Sequence, residues 1–163
     1  MRRISDVRTR EPSTITITWR DGAEDTVDLA GVIAGFEPFA PLADFPLFQT
    51  AKVVGHGSGI EWENGLAYSA DSLECLADEQ RIQTGADFEA WQRSFNLSLG
   101  EAADLFGVSV TTVKAYRKLA VLPVAVGIAC SAMRRQPDVF LAHYRPRTNG
   151  RPKKRGNGVA AGG

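Results

Sequence analysis

Metal-ligating and redox-active side chains are scarce in this chain of 163 residues, which has two cysteines, Cys75 and Cys130, and two histidines. The cysteines stand far apart in apolar surroundings with no Cys-x-x-Cys pair. That suits reduced, buried thiols rather than a bridge or a zinc site. No metal and no cofactor is expected. Long apolar runs are also missing: the longest, Leu119 to Cys130, is too short for a bilayer and contains Pro123. The chain opens Met1-Arg2-Arg3-Ile4-Ser5-Asp6 with no apolar segment behind the charges, so no secretory signal is expected and the protein is read as soluble and cytoplasmic. With 44% hydrophobic residues there is enough apolar content for a core without disulfides or metals.

Net charge is absent as well, but only as a sum. Residues 1–90 hold 7 Lys/Arg against 16 Asp/Glu, a net of −9, whereas residues 91–163 hold 12 against 3, a net of +9. Such segregation predicts one half that repels polyanions and one that attracts them.

In the acidic half, β-branched and aromatic residues alternate over Ile4 to Val7, Thr14 to Trp19 and Ala23 to Leu29, with Ile15, Ile17 and Trp19 on one face and Thr14, Thr16 and Thr18 on the other. Asp21-Gly22 is a hairpin signal, because glycine tolerates the positive φ that such turns demand. Prolines 38, 41 and 46 break regular structure between Phe36 and Phe48, where Phe36, Phe39, Leu42, Phe45, Leu47 and Phe48 are expected to pack on one sheet face. A second hairpin is expected from Ala51 to Val54 and Gly59 to Glu63 around His56-Gly57-Ser58, then a short helix from Ala70 to Ala77.

Chemistry is not expected here. The "GHGSG" run at 55–59 is followed by strand residues Ile60 to Trp62, not by the helix that a phosphate loop or a nucleophile elbow needs. Glu61 and Glu63 fall on one face of an edge hairpin, where solvated charge is the default.

Over roughly residues 1–80 the order "WRDGAEDTVDL", "FAPLADFPLFQTAKV", "GIEWENG", "SADSL" resembles the bacterial family called domain of unknown function 2442. The resemblance implies a compact α+β fold with no established chemistry, often followed by a helical DNA-binding segment, and in some members an antitoxin-like role.

From Asp87 onward the apolar period lengthens, with Phe88, Trp91 and Phe95 three to four residues apart. Ser98-x-x-Glu101 reads as a capping box, Leu99, Ala102, Ala103 and Phe106 as a buried stripe, and Gly107 as a left-handed helix stop. Ser109 caps a second helix buried through Val113 and Tyr116. Two helices joined this tightly need a small residue where they meet, and Ala103 supplies it. The segment Leu99 to Lys118 resembles the helix-turn-helix of Cro and phage repressors, with alanine fifth, glycine ninth, and apolar residues at the fourth, eighth, tenth, fifteenth and eighteenth places. The wider resemblance runs from about Ala86 to Ala142.

It implies a recognition helix over about 109–118. Helical rotation puts Thr111, Lys114, Ala115 and Lys118 on its outer side, with Val110, Thr112 and Arg117 at the margins and Ser109 at the start. Val110 and Ala115 offer no hydrogen bonds to bases, and Lys118-Leu119 stands where the family often has glycine. Pro123 is expected in the first turn of a fourth helix whose Val124, Ile128 and Met133 continue the core, with Arg134 and Arg135 at its C-terminal end. Pro137, Phe140, Leu141 and Tyr144 are expected to form a fifth helix.

The segment after Tyr144, "RPRTNGRPKKRGNGVAAGG", has no acid and too little apolar content to pack, and is expected to be disordered on its own. Arg145, Arg147, Arg151, Lys153, Lys154 and Arg155 are expected to form a polyanion-binding arm, and "GRPKKR" resembles half of an AT-hook.

The expected organisation is an acidic α+β domain over 1–80, with a small antiparallel meander sheet and short helices, a linker at 81–86, an all-α five-helix repressor-like domain over 87–144, and a basic tail at 145–163. Expected partners are double-stranded DNA and a second copy of the chain, or a basic toxin-like protein if the role is antitoxin-like.

Overall fold

The computed structural model describes residues 2–147. They form two compact units that divide between Arg81 and Ile82. The first begins with an antiparallel meander of β1 (Ile4–Arg10), β2 (Thr14–Trp19) and β3 (Glu24–Asp28). Along β2 the buried Ile15, Ile17 and Trp19 alternate with half-exposed threonines, as a strand with one face on a core requires. Gly22 takes φ 86° in the β2–β3 turn, and its N–H donates to the Trp19 carbonyl at 3.0 Å. The Trp19 ring lies under the Arg2 guanidinium at 4.4 Å, and its Nε1–H donates to Asp25 at 2.6 Å.

The proline-rich segment is more regular than expected. It contains α1 (Ala30–Gly35), a 3-10 helix (Glu37–Ala43) and α2 (Phe45–Phe48), which bury Val32, Leu42 and Phe48. Phe36 is not part of this packing. It sits between α1 and the 3-10 helix with an extended backbone (φ −126°, ψ 109°) and is 61% exposed.

A second sheet follows, ordered β4 (Lys52–Val54), β5 (Gly59–Glu61), β6 (Ala67–Ser69). The three-residue β6 is too short to show alternation in the sequence, and it places β5 in the centre. Glu61 therefore lies on a strand paired on both sides, not on an edge, while Glu63 lies in the exposed turn after it. Ser69 caps α3 (Ala70–Gln80), which runs three residues beyond Ala77, and the Gln80 side chain brackets the backbone of Asp28 with bonds of 2.8 and 2.7 Å.

Gly57 and Gly59 of "GHGSG" serve close backbone approach. Gly55, His56 and Gly57 all have positive φ, and a Cβ on Gly57 would stand 2.3 Å from the Ile4 carbonyl oxygen.

The described part of the second unit contains α4 (Gly85–Ser94), α5 (Leu99–Phe106), α6 (Val110–Tyr116), α7 (Val124–Arg135) and α8 (Pro137–His143). Phe88, Trp91, Leu97, Ala102, Ala103, Val113, Leu122, Cys130, Met133 and Phe140 form its core. The stretch read as a linker is partly built into this unit. Thr84 forms a capping box with Asp87, so α4 starts at Gly85, and Gln83 bonds through its carbonyl to Leu122 N–H at 2.8 Å and through its side chain to Ser131 at 3.2 Å.

The expected core face of α7 is corrected by the same contact. Its buried side is Gly127, Cys130, Ser131 and Met133, because the absent side chain of Gly127 lets Gln83 approach. Val124 and Ile128 are consequently 76% and 57% exposed. Pro123 is the residue before α7 rather than within its first turn, and Leu141 on α8 is exposed while Phe140 is buried. No helix among the described residues is long and apolar enough to cross a membrane.

The contact between Gly57 and β1 yields a direct test. Gly57→Ala should destabilise the first unit by at least about 2 kcal/mol, since both φ and the Ile4 carbonyl oppose a Cβ. A shift of the urea midpoint followed by tryptophan fluorescence would report it, and an unchanged midpoint would contradict the packing described.

Candidate nucleic-acid interface

The joint between α5 and α6 is held by short-range backbone chemistry. At the start of α5 the Ser98 hydroxyl accepts from the Glu101 N–H at 3.1 Å, and the Glu101 carboxylate accepts from the Ser98 N–H at 2.9 Å. At its end Gly107 adopts φ 65°. The Gly107 N–H donates to the Asp104 carbonyl at 3.2 Å and the Val108 N–H to the Ala103 carbonyl at 3.0 Å. This double bond pattern satisfies carbonyls that the helix end leaves open. No atom lies within 4 Å of the position a Cβ on Gly107 would take, so glycine is required there by its torsion angle and not by space. Ser109 then caps α6, its hydroxyl accepting from the Thr112 N–H at 3.1 Å. Ala102 and Ala103 are buried against this joint, and Val113 is the buried residue of α6.

The far end of α6 is fixed by α4. A Cβ on Gly85 would stand 2.4 Å from the Tyr116 carbonyl oxygen and 2.6 Å from that of Arg117, and the Gly85 N–H donates to the Leu119 carbonyl at 2.8 Å. The Phe88 and Tyr116 rings meet edge to face at 5.6 Å. Gly85 carries no local signal of this role, because its partners lie some thirty residues downstream.

These contacts leave one side of α6 in solvent. Ser109, Val110, Thr111, Lys114, Ala115 and Lys118 are exposed, and Thr112 is half-buried with its hydroxyl 2.9 Å from that of Ser109. The helix ends at Tyr116, two residues short of the expected end, so Arg117 and Lys118 stand in the turn beyond it. Glu89, Lys114, Arg117 and Lys118 line one open concavity. Arg117 is half-buried and its guanidinium is bonded to the Glu89 carboxylate, which also accepts from Arg93 at 2.7 Å. No carboxylate pairs with Lys114 or Lys118 among the described residues.

The beginning of the basic tail is not loose. The Arg147 guanidinium makes two bonds to Asp104 on α5, of 2.6 and 2.5 Å, and its N–H donates to Glu101 at 3.1 Å. The pairing lowers the Asp104 carboxyl and raises the Arg147 guanidinium from their ordinary values. Arg145 bonds to the carbonyls of Ala142 and Tyr144. Arg151, Lys153, Lys154 and Arg155 lie outside the described residues.

Glu101 is the buried carboxylate of this surface, 1% exposed. Burial pushes its pKa up, but the N–H groups of Ser98 and Arg147 and the hydroxyls of Ser98 and Tyr144 outweigh it and hold it at about 2. The Tyr144 hydroxyl donates at 2.9 Å, so one acid caps α5 and ties the end of the described chain to it. In the core, burial pushes the Cys130 thiol up to about 12, which keeps it protonated.

Comparison with known proteins finds a similarity over the first unit. A family model described as a protein of unknown function, DUF2442, matches residues 4–78. No curated protein matches the chain. Among solved structures, a "putative DNA binding protein" from Nitrosomonas europaea is similar with 24% sequence identity and a TM-score of 0.48, over 94% of this chain and 97% of that one.

Because Glu101 has its pKa lowered on folding, it stabilises the second unit fully above about pH 4.5 and loses that contribution as the pH falls towards 2. Glu101→Gln should lower stability at neutral pH by about 2 kcal/mol and flatten the acid side of the stability profile. Denaturation midpoints from pH 2 to 7 would check both, and equal acid slopes for the two proteins would contradict the assignment.

Proposed function

We propose that the protein is a sequence-specific DNA-binding transcription regulator, a repressor, in which α5 and α6 act as a helix-turn-helix and α6 enters the major groove. The observation that carries this reading is the exposed side of α6, where Thr111, Lys114, Ala115 and Lys118 stand together while Val113 and Ala103 fix the helix from behind. Lys114 and Lys118 supply cations for phosphates or guanine edges, and Thr111 supplies a hydroxyl and a methyl for base contact. Val110 and Ala115 give only apolar contact, so direct base readout rests on few residues. Arg151, Lys153, Lys154 and Arg155 add sequence-independent affinity from the tail.

The protein acts in the cytoplasm as a homodimer on half-sites about one duplex turn, roughly 34 Å, apart. The exposed apolar side chains of Val124 and Ile128, four residues apart on α7, support self-association through that helix. The acidic charge of residues 1–90 supports a second reading, in which that part masks a basic toxin-like partner and DNA binding serves autoregulation.

Selection of bound duplexes from random DNA at near-physiological salt should return a motif repeated at one-turn spacing, and recovery of no motif would overturn the proposal. Lys114→Ala should weaken binding and reduce the salt slope by about 0.9. Ala103→Leu should destabilise the α5–α6 joint by about 1–3 kcal/mol and abolish binding with it. Ile128→Glu should halve the mass seen by light scattering, and a monomeric parent chain would dispose of the dimer.

A further inference from the structure

The concavity beside α6 contains an acid among its cations. Glu89 belongs to α4, outside the two helices that form the joint, yet it lines the same hollow as Lys114, Arg117 and Lys118. Its carboxylate holds the Arg117 guanidinium, with both side chains 29% exposed, and takes a second bond from Arg93. Half-burial matters here. A fully solvated pair exchanges freely with water and salt, whereas one recessed beside the Phe88–Tyr116 contact is screened less and keeps its geometry.

The hollow therefore presents two free cations, not three, and a fixed negative charge stands where a phosphate would have to approach Arg117.

We infer that Glu89 is a specificity-determining residue, which withholds Arg117 from the phosphates of unrelated duplex and so lowers sequence-independent binding. The inference rests on the reading of α6 as a DNA-facing helix. Phosphate contacts raise affinity for every sequence alike, while base contacts separate one sequence from another. An acid that removes one phosphate contact lowers the first contribution and leaves the second, so discrimination increases as total affinity falls. Few side chains of α6 can read bases, and a modest base contribution is visible only over a weak background.

The test is a titration of full-length protein with the duplex recovered by selection and with a random-sequence duplex, by fluorescence anisotropy over a range of salt. Glu89→Gln should bind the random duplex roughly fivefold more tightly at near-physiological salt and steepen its salt slope by about 0.9, with less preference for the selected duplex. Adding Arg117→Ala to that variant should return the slope to the parent value. Arg117→Ala alone should leave the slope unchanged, because the arginine is already withheld. That measurement stands even if Glu89→Gln folds poorly.

A fall of about 0.9 in slope for Arg117→Ala alone, or a Glu89→Gln protein that melts like the parent with no gain on random duplex, would overturn the inference while leaving α6 as the DNA-facing helix. If Lys114→Ala in the same titration changes neither affinity nor slope, the reading of α6 fails, and the inference with it.

Discussion

Between Ala103 and Val110 the chain must close one helix, reverse, and open another, and the bonds from Gly107 and Val108 back to Asp104 and Ala103 allow this only with a left-handed residue at 107. Everything proposed for α6 depends on that turn. It sets where the helix starts, and Ala103, buried in the same core as Val113, puts only a methyl group at the joint. The opposite end of α6 is set by the bare backbone of Gly85 against the carbonyls of Tyr116 and Arg117. A helix of seven residues has little stability of its own, so the position of α6 has to come from these attachments.

Glu101 extends the same framework in another direction. Its carboxylate satisfies the start of α5 and accepts from Tyr144 and Arg147, so the last described residues are fastened to the first helix of the joint. A buried charge costs about several kcal/mol unless its lone pairs are filled, and here N–H and O–H donors fill them. Arg147, the last described residue, thus lies beside α5.

Three of the basic side chains that give residues 91–163 their charge of +9 pair with acids of the second unit, Arg93 and Arg117 with Glu89 and Arg147 with Asp104. Net charge counts them equally with Lys114 and Lys118, but a paired guanidinium contributes little field at a distance. The surface that faces solvent along α6 is therefore less cationic than the sequence count suggests.

Much of the scaffold was legible along the chain. The turn at Gly22, the capping box Ser98–Glu101, the cap at Ser109 and the stop at Gly107 depend on residues at most five positions apart, and local hydrogen bonding decides them wherever the chain lies in space, while the alternation in β2 is the period-two pattern that a strand with one buried face must carry. The tertiary structure alone decided the rest. It paired Arg117 with Glu89 across 28 positions and Arg147 with Asp104 across 43, turned Val124 and Ile128 of α7 outward by seating Gly127 on Gln83, exposed Phe36, and used Gly85 to seat α6. An apolar period shows that a helix has a buried side, but which residues occupy it depends on the shape of what it meets, and that shape is assembled from distant parts of the chain.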